Sequence, residues 1–281
     1  LRQRGLRCEH SGRAFTVYTV PLLLDRAETI RMFSRPIPEG GVRDEAKAQE
    51  FNYRLKSFKY SSHYWILKFL DDLQRPLRIL DVGTADGYLG AVLRQRGHYV
   101  VGVEKDEFLA KGAQPYYARF YLANLETFDF PFKAEFDFII FADVLEHLRE
   151  PEVVLERSLT CLNSTGQVII SVPNIANLLI RIMLLLGKFD YQDRGILDRT
   201  HLRFYTLSSF KALLHNAACR VVDVVPTPLP VQLVLPWTRS PHVAPIHEIH
   251  LAMVRLWKTL LAYQFVARAL PYPNRNGLRD S

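Results

Sequence analysis

Residues 77–97 constrain this chain more than any other stretch. Leu77, Ile79, Leu80 and Val82 form an apolar run that meets a turn carrying Gly83 and Gly87, and a helical pattern follows as far as Gly97. A buried strand, a tight turn and a helix in that order leave the first backbone N–H groups of the helix facing the turn. Glycine permits the sharp bend and the close approach of a ligand, so the corner predicts a binding site.

The chain after the corner alternates apolar runs with helical spacing. Residues 99–103, 120–122, 136–141 and 168–172 read as strands, and 151–162 as a helix with Pro151 in its first turn. The order predicts an α/β fold, a Rossmann-like doubly wound sheet whose ligands sit at the carboxyl ends of the strands. Those ends carry Gly83, Glu104, Asn124, Asp143 and Asn174. A helix over 207–218 with Thr206 as N-cap, a sixth strand over 220–225 and a last strand over 262–267 complete seven. Insertions fall at 175–205 and 226–259, and the six prolines of 226–245 predict irregular backbone there. Residues 1–59 read as an N-terminal arm, with turn signals to Gly41 and then cap helices, two of them over 42–73. The aromatics of 42–73, Phe51, Tyr53, Phe58, Tyr60, Tyr64 and Trp65, suit core packing better than a substrate pocket. Residues 60–270 read as one domain and 271–281 as a tail.

With 281 residues, 48% hydrophobic and 23% charged, the chain can bury a full core, which excludes wholesale disorder. The net charge of +7 suits nucleic acid or an anionic membrane, but the cations are scattered, which disfavours nucleic acid. Cys8, Cys161 and Cys219 offer no disulfide framework, and Cys8 with His10 makes a lone C-x-H, so no metal site is predicted. The polar start LRQRGLRCEHSGRAF holds no signal-peptide core, which predicts a cytoplasmic protein. Residues 175–186 are apolar but shorter than the roughly 20 residues of a membrane span, and Arg181 interrupts them. Residues 246–270 carry Glu248, Arg255 and Lys258, which exclude a simple span.

A glycine corner with an acidic residue at the end of the next strand suits an adenosine-type cofactor, and Glu104 stands at that end. A dinucleotide fingerprint would place glycines at 83, 85 and 88, where this chain has Gly83, Ala85 and Tyr88. Asp86 would repel a diphosphate and welcome a ligand carrying an ammonium and a sulfonium.

DVGTADG, GVEKD, FDFIIFADVLEHL and GQVIISVPN together resemble the successive motifs of class I S-adenosylmethionine-dependent methyltransferases. GILDRTHLRFYTLSSFKALL resembles a segment of the bacterial type 11 and type 23 subgroup. The resemblance covers about residues 60–225, and AYQFV resembles the last, antiparallel strand. It implies that Asp81, Gly83, Thr84 and Gly87 hold the methionine part of S-adenosyl-L-methionine. It further implies that Glu104 binds the ribose hydroxyls, Asn124 and Leu125 contact adenine, and Asp143 with Val144 lies near the sulfonium. Ala85 replaces a glycine of the usual pattern and Asn124 an aspartate; asparagine keeps an acceptor for the adenine amino group.

Methyl transfer is an in-line displacement in which the protein aligns the acceptor and, for a hydroxyl, removes its proton. His147, beyond the fourth strand, and His201, in the insertion after the fifth, are the candidate bases. The alternatives are a residue that only orients its loop for His147, and a structural partner of Asp198 or Arg203 for His201. The apolar, cationic stretches 175–187 and 246–260 suggest a lid over a greasy small-molecule or glycolipid acceptor, or peripheral contact with the inner face of a membrane. Packing on the sheet is the competing reading for both. A non-catalytic module is the competing class, motivated by Ala85 and Asn124, and a nucleic-acid methyltransferase is a third. ADVLEH stands where an N-P-P-Y-type motif would mark methylation of bases.

Overall fold

The computed structural model describes residues 6–10, 13–19, 59–230 and 244–272. Its strands are β1 (Leu6–His10), β2 (Arg13–Thr19), β3 (Arg78–Val82), β4 (Tyr99–Glu104), β5 (Arg119–Leu122), β6 (Phe136–Ala142), β7 (Leu162–Pro173), β8 (Cys219–Thr227) and β9 (Gln264–Pro271). They form one sheet in the order β1-β2-β5-β4-β3-β6-β7-β9-β8. The helices are α1 (Ser62–Asp71), α2 (Tyr88–Gln95), α3 (Glu107–Ala113), α4 (Pro151–Ser158), α5 (Leu178–Leu185), α6 (Leu207–Asn216), α7 (Ala244–Leu256) and α8 (Lys258–Leu261).

Strands β3 to β9 make the mostly parallel seven-stranded sheet that the motifs predict. The pairs of β3 with β4 and β6, of β4 with β5 and of β6 with β7 are parallel, whereas β9 runs antiparallel between β7 and β8. The period of two along each strand divides the core between the two faces. Leu80, Val82, Ile139 and Phe141 join Leu155 of α4 and Phe210 and Leu213 of α6 on one face. Ile79, Phe138 and Ile140 join Trp65 of α1, Leu89 of α2 and Ala110 of α3 on the other. Burial on both faces explains why β3 and β6 read as mainly apolar runs, interrupted at Asp81 and Asp137, rather than alternating ones.

The start of the arm differs from the sequence reading. It reads as an arm marked by turns, and it contributes a hairpin, β1 with β2, that pairs antiparallel with β5 and extends the sheet to nine strands. His10 pairs with Arg13 across Ser11 and Gly12, a two-residue connection with glycine in second place, which is itself a hairpin signal. The first of the two helices expected over 42–73, together with Phe51, Tyr53 and Phe58, lies outside the described residues. The second is α1, capped by Ser61, whose side chain accepts the Tyr64 N–H. Of the stretch 226–245 expected to be irregular, Pro226 and Thr227 continue β8 on the sheet edge and Ala244 and Pro245 open α7, while 231–243 lie outside the described residues. The last strand begins at Gln264 rather than 262.

Among the described residues no helix is long and apolar enough to cross a membrane. The two insertions share an anchor at the carboxyl end of β7. Asn174 and Asn177 both donate to the Ala262 carbonyl, at 2.8 and 2.9 Å, so the starts of α5 and of β9 are tied together.

Candidate functional site

The strand order reverses between β3 and β6, and ligands of open α/β sheets bind in the crevice that such a reversal opens at the carboxyl ends. Gly83, at the end of β3, and Val144, just past β6, meet there. A Cβ on Gly83 would lie 2.7 Å from Val144 Cγ2, and Gly83 has φ of 74°, so only glycine fits. Gly87 (φ 82°) has the same need, because a Cβ would come within 2.7 Å of the Ala113 backbone. Between them Ala85 takes φ of 48°, the left-handed shape that a glycine would adopt without cost. The departure from the glycine pattern is therefore absorbed as local strain, with the path of the turn intact.

Three carboxylates surround this corner. Asp81 is buried, its Oδ2 accepts a 2.7 Å hydrogen bond from the Tyr117 hydroxyl, and burial pushes its carboxyl up to about 7. Glu104 spans the corner: one oxygen accepts from Ala85 N–H at 3.0 Å, the other from the N–H groups of Lys105 and Asp106 at 2.8 and 3.0 Å. Burial raises its carboxyl, and those backbone donors counter the rise. Asp86 sits at the start of α2, where its carboxyl is raised by burial and favoured as an anion by the Tyr88 N–H. An acidic group already at the helix N-terminus leaves the corner unsuited to a pyrophosphate. The N–H groups of Gly83 and Thr84 both turn inward to the Val103 carbonyl, and the Thr84 side chain is buried.

Tyr117 and Gly90 escaped the sequence reading. The Tyr117 ring lies fully buried across Gly90, where an added Cβ would stand 2.2 Å from the ring. This close approach puts the hydroxyl on Asp81. The only cue was a glycine inside a helical pattern, which more often records nothing but tolerance.

Asn124 and Leu125 lie past β5. Asn124 Oδ1 accepts the Glu126 N–H at 3.1 Å in a local turn, the Leu125 side chain packs in the core, and the Leu125 carbonyl accepts from Arg157 Nη2 at 2.8 Å, so any contact of Leu125 with a ligand is made by the rest of its backbone. Asp143 has φ of 57°, and its carboxylate accepts from the Ser171 hydroxyl and, at 2.9 Å, from Gln264 Nε2. Strands β7 and β9 thus hold it at the lip of the crevice.

The structure brings the two candidate histidines together. His147 ends a one-turn 3-10 helix, Leu145–His147, and its ring centroid lies 4.8 Å from that of His201. The long insertion reaches this position because the Glu146 carbonyl accepts the N–H groups of Leu202 and Arg203, at 2.8 and 3.0 Å. Burial lowers both imidazoles, which favours their neutral forms near pH 7. His201 meets Asp198 through the backbone, its N–H donating to the Asp198 carbonyl at 3.1 Å; its Nδ1 meets the Ile196 carbonyl at 3.1 Å, while the Asp198 carboxylate accepts from Thr200. Glu146, which was not singled out, is buried beside them, and one possible ligand atom from each of Glu146, His147 and His201 lies within 4.8 Å of the others. The absence of metal-ligand spacing in the sequence therefore does not carry over to space.

Packing on the sheet does not describe α5. Its buried residue is Ile180, while Leu185 is 86% exposed and Leu179, Ile182 and Leu184 are exposed too. Helix α7 buries Leu251 and Val254 but leaves Leu256 89% exposed, and Trp257, which caps α8, is 59% exposed.

A family model described as a methyltransferase domain matches residues 57–224. No curated protein is significantly similar in sequence. Solved structures share the fold at low identity. An S-adenosylmethionine-dependent methyltransferase from Mesorhizobium loti is 15% identical, with a TM-score of 0.51 over 74% of this chain and 97% of its own. One from Archaeoglobus fulgidus is 16% identical, with a TM-score of 0.50 over 74% and 91%. A third, from Thermotoga maritima and described as a possible histamine N-methyltransferase, is 17% identical, with a TM-score of 0.50 over 75% and 89%.

Proposed function

The chain belongs to the methyltransferase domain family, and from that premise we propose that it transfers the methyl group of S-adenosyl-L-methionine to a hydroxyl oxygen of a small, sugar-like or lipid-linked acceptor. When bound, that cofactor supplies an electrophilic methyl group on a sulfonium. The corner fits it: two glycines where a Cβ would collide, a buried Asp81 and a carboxylate at the end of β4. In this reading Asp81 and the turn at Gly83, Thr84 and Gly87 hold the methionine end. Glu104 takes the ribose hydroxyls, Asn124 and the Leu125 backbone border the adenine, and Asp143 with Val144 faces the sulfonium. Ala85, being left-handed, removes one of the two motives for a non-catalytic module.

The observation that carries oxygen as the target is the convergence of Glu146, His147 and His201 beside Asp143. A primary amine is nucleophilic once neutral, whereas an alcohol needs its proton removed, and two imidazoles converging with a carboxylate serve that task either as a base or by holding an ion that acidifies the hydroxyl. The exposed leucines of α5 together with Leu256, Trp257, Arg181, Arg255 and Lys258 favour an acceptor at an anionic lipid surface. The test is transfer of labelled methyl to a panel of hydroxylated acceptors, free and embedded in anionic vesicles. Product on the vesicle-borne alcohols supports the proposal; labelling confined to amines, or none with the cofactor bound, overturns it.

Asp81 sets a pH dependence. Its folded-state carboxyl, near 7, stands above the ordinary value of 3.8. The stability it contributes is therefore complete below the unfolded value and is lost as pH rises towards 7. The ammonium of the cofactor restores that loss by pairing with the ionised form. Cofactor affinity, measured by calorimetry, is expected to rise between pH 6 and about 7.5, below the range near 8 where an α-amino group deprotonates. Asp81→Asn should flatten the rise; an equally steep rise in that variant would assign it to another group.

A further inference from the structure

We propose that Glu146, His147 and His201 form a binding site for one divalent first-row transition-metal ion, with Zn2+ the best match. The potential ligand atoms lie within 4.8 Å of one another. Closing on a tetrahedral ion, with bonds of about 2.0–2.2 Å, brings them to roughly 3.4 Å apart, a change that small side-chain rotations supply. The backbone already holds the two segments in register, because both Leu202 and Arg203 donate to the Glu146 carbonyl.

The orientation of the two rings is the independent observation. His201 Nδ1 lies 3.1 Å from the Ile196 carbonyl, and His147 Nδ1 lies 3.2 Å from the Thr200 carbonyl. A carbonyl can only accept, so each Nδ1 carries the proton and each Nε2 keeps its lone pair. The Thr200 hydroxyl, also 3.2 Å from His147 Nδ1, spends its own proton on Asp198 Oδ1 at 2.6 Å and is thereby left as a further acceptor. Imidazoles that bind metals show this arrangement, with one nitrogen fixed by a carbonyl and the other presented to the ion.

Two imidazoles and one carboxylate select the metal. Mg2+ and Ca2+ take oxygen ligands, whereas two nitrogen donors suit Zn2+, Co2+ and their neighbours. Three protein ligands leave a fourth position open, the pattern of a site that acts on a bound oxygen rather than one that only staples the fold. What the ion does there rests on the methyl-transfer reading, while its binding does not. An acceptor hydroxyl in the fourth position would lose its proton to solvent at lower pH, and the oxygen would form its bond to the methyl carbon as the carbon–sulfur bond breaks.

The experiment titrates the chelator-treated, desalted 281-residue chain with Co2+, followed by its visible d–d absorption, and with Zn2+ by calorimetry. One equivalent is expected to bind with the intense bands of a four-coordinate site. Glu146→Gln and His201→Gln should each weaken binding by at least about 100-fold, while His215→Gln, on the exposed surface of α6, should not. Proton NMR of the Co2+-loaded parent should show two exchangeable, paramagnetically shifted ring N–H signals, one for each Nδ1–H, and this readout needs no variant to fold. Substoichiometric or octahedral Co2+, the absence of those signals, or equal binding by the Glu146 and His201 variants would overturn the site. S-adenosylmethionine affinity measured on the same samples separates this outcome from failure of the cofactor assignment.

Discussion

Gly90→Ala is expected to cost about 3 kcal/mol of stability, the upper end of the usual range for overpacking, and to weaken cofactor binding in whatever fraction still folds. The added methyl would stand 2.2 Å from Tyr117 Cζ and 2.5 Å from its hydroxyl oxygen. The ring cannot swing away, because it is fully buried and also lies over Gly102, where a Cβ would meet it at 2.8 Å. Relief must come from moving α2 off the sheet or Tyr117 off Asp81, and either change disturbs the corner. For a chain of this size the loss corresponds to a fall in Tm of roughly 6–12 °C. Gly112→Ala is the matched control, since a Cβ there meets nothing within 4 Å and the change should be neutral or stabilising by up to about 1 kcal/mol. Thermal unfolding of the pair decides the matter: a Gly90→Ala midpoint within 2 °C of the parent would show that the ring yields freely. Tyr117→Phe divides the two consequences, because it keeps the packing and removes the hydroxyl from Asp81.

Glu104→Ala is expected to weaken S-adenosylmethionine binding by at least about 100-fold. Two hydrogen bonds from ribose hydroxyls to a charged carboxylate contribute about 1.5–3 kcal/mol each, and about 1.4 kcal/mol is tenfold in affinity. The carboxylate has a second task, which adds to the loss: it accepts from the N–H groups of Ala85, Lys105 and Asp106 and so ties the turn after β3 to the end of β4. Calorimetry at fixed salt measures the change, with Glu107→Ala as a control on the exposed face of α3. Retention of affinity within threefold of the parent would remove Glu104 from the cofactor site. Glu104→Gln should fall between, because the amide keeps one acceptor oxygen and turns the other into a donor that faces backbone N–H groups.

Much of the fold was legible because its signals are local. The runs of β3 and β6 are mainly apolar, broken only by Asp81 and Asp137 after their first residues, as strands buried on both faces tend to be, and the residues that mark the corner stand at or just past the end of such a run. Gly83, Gly87 and Glu104 could be placed for that reason. Ala85 could be flagged but not resolved, since whether alanine tolerates the turn depends on its φ, which only the folded backbone sets. The β1–β2 hairpin was missed because its short strands gain stability from pairing with β5, a partner remote in sequence.

The histidine cluster marks the boundary most clearly. His147 and His201 were each picked out by position relative to a strand end, yet nothing in the spacing placed them against each other or brought Glu146 to them. That meeting depends on the Glu146 carbonyl catching Leu202 and Arg203, and on Nδ1 bonds to carbonyls at Ile196 and Thr200. Tyr117 reaching Asp81 across Gly90 is of the same kind. The sequence by itself determined the succession of strands and helices from β3 onward and the glycine corner, because periodicity and backbone freedom are properties of neighbouring residues, and the type of cofactor followed from the resemblance of the successive motifs to a known family. The tertiary structure alone decided which side chains share a site, because contacts between residues tens of positions apart depend on how the elements pack.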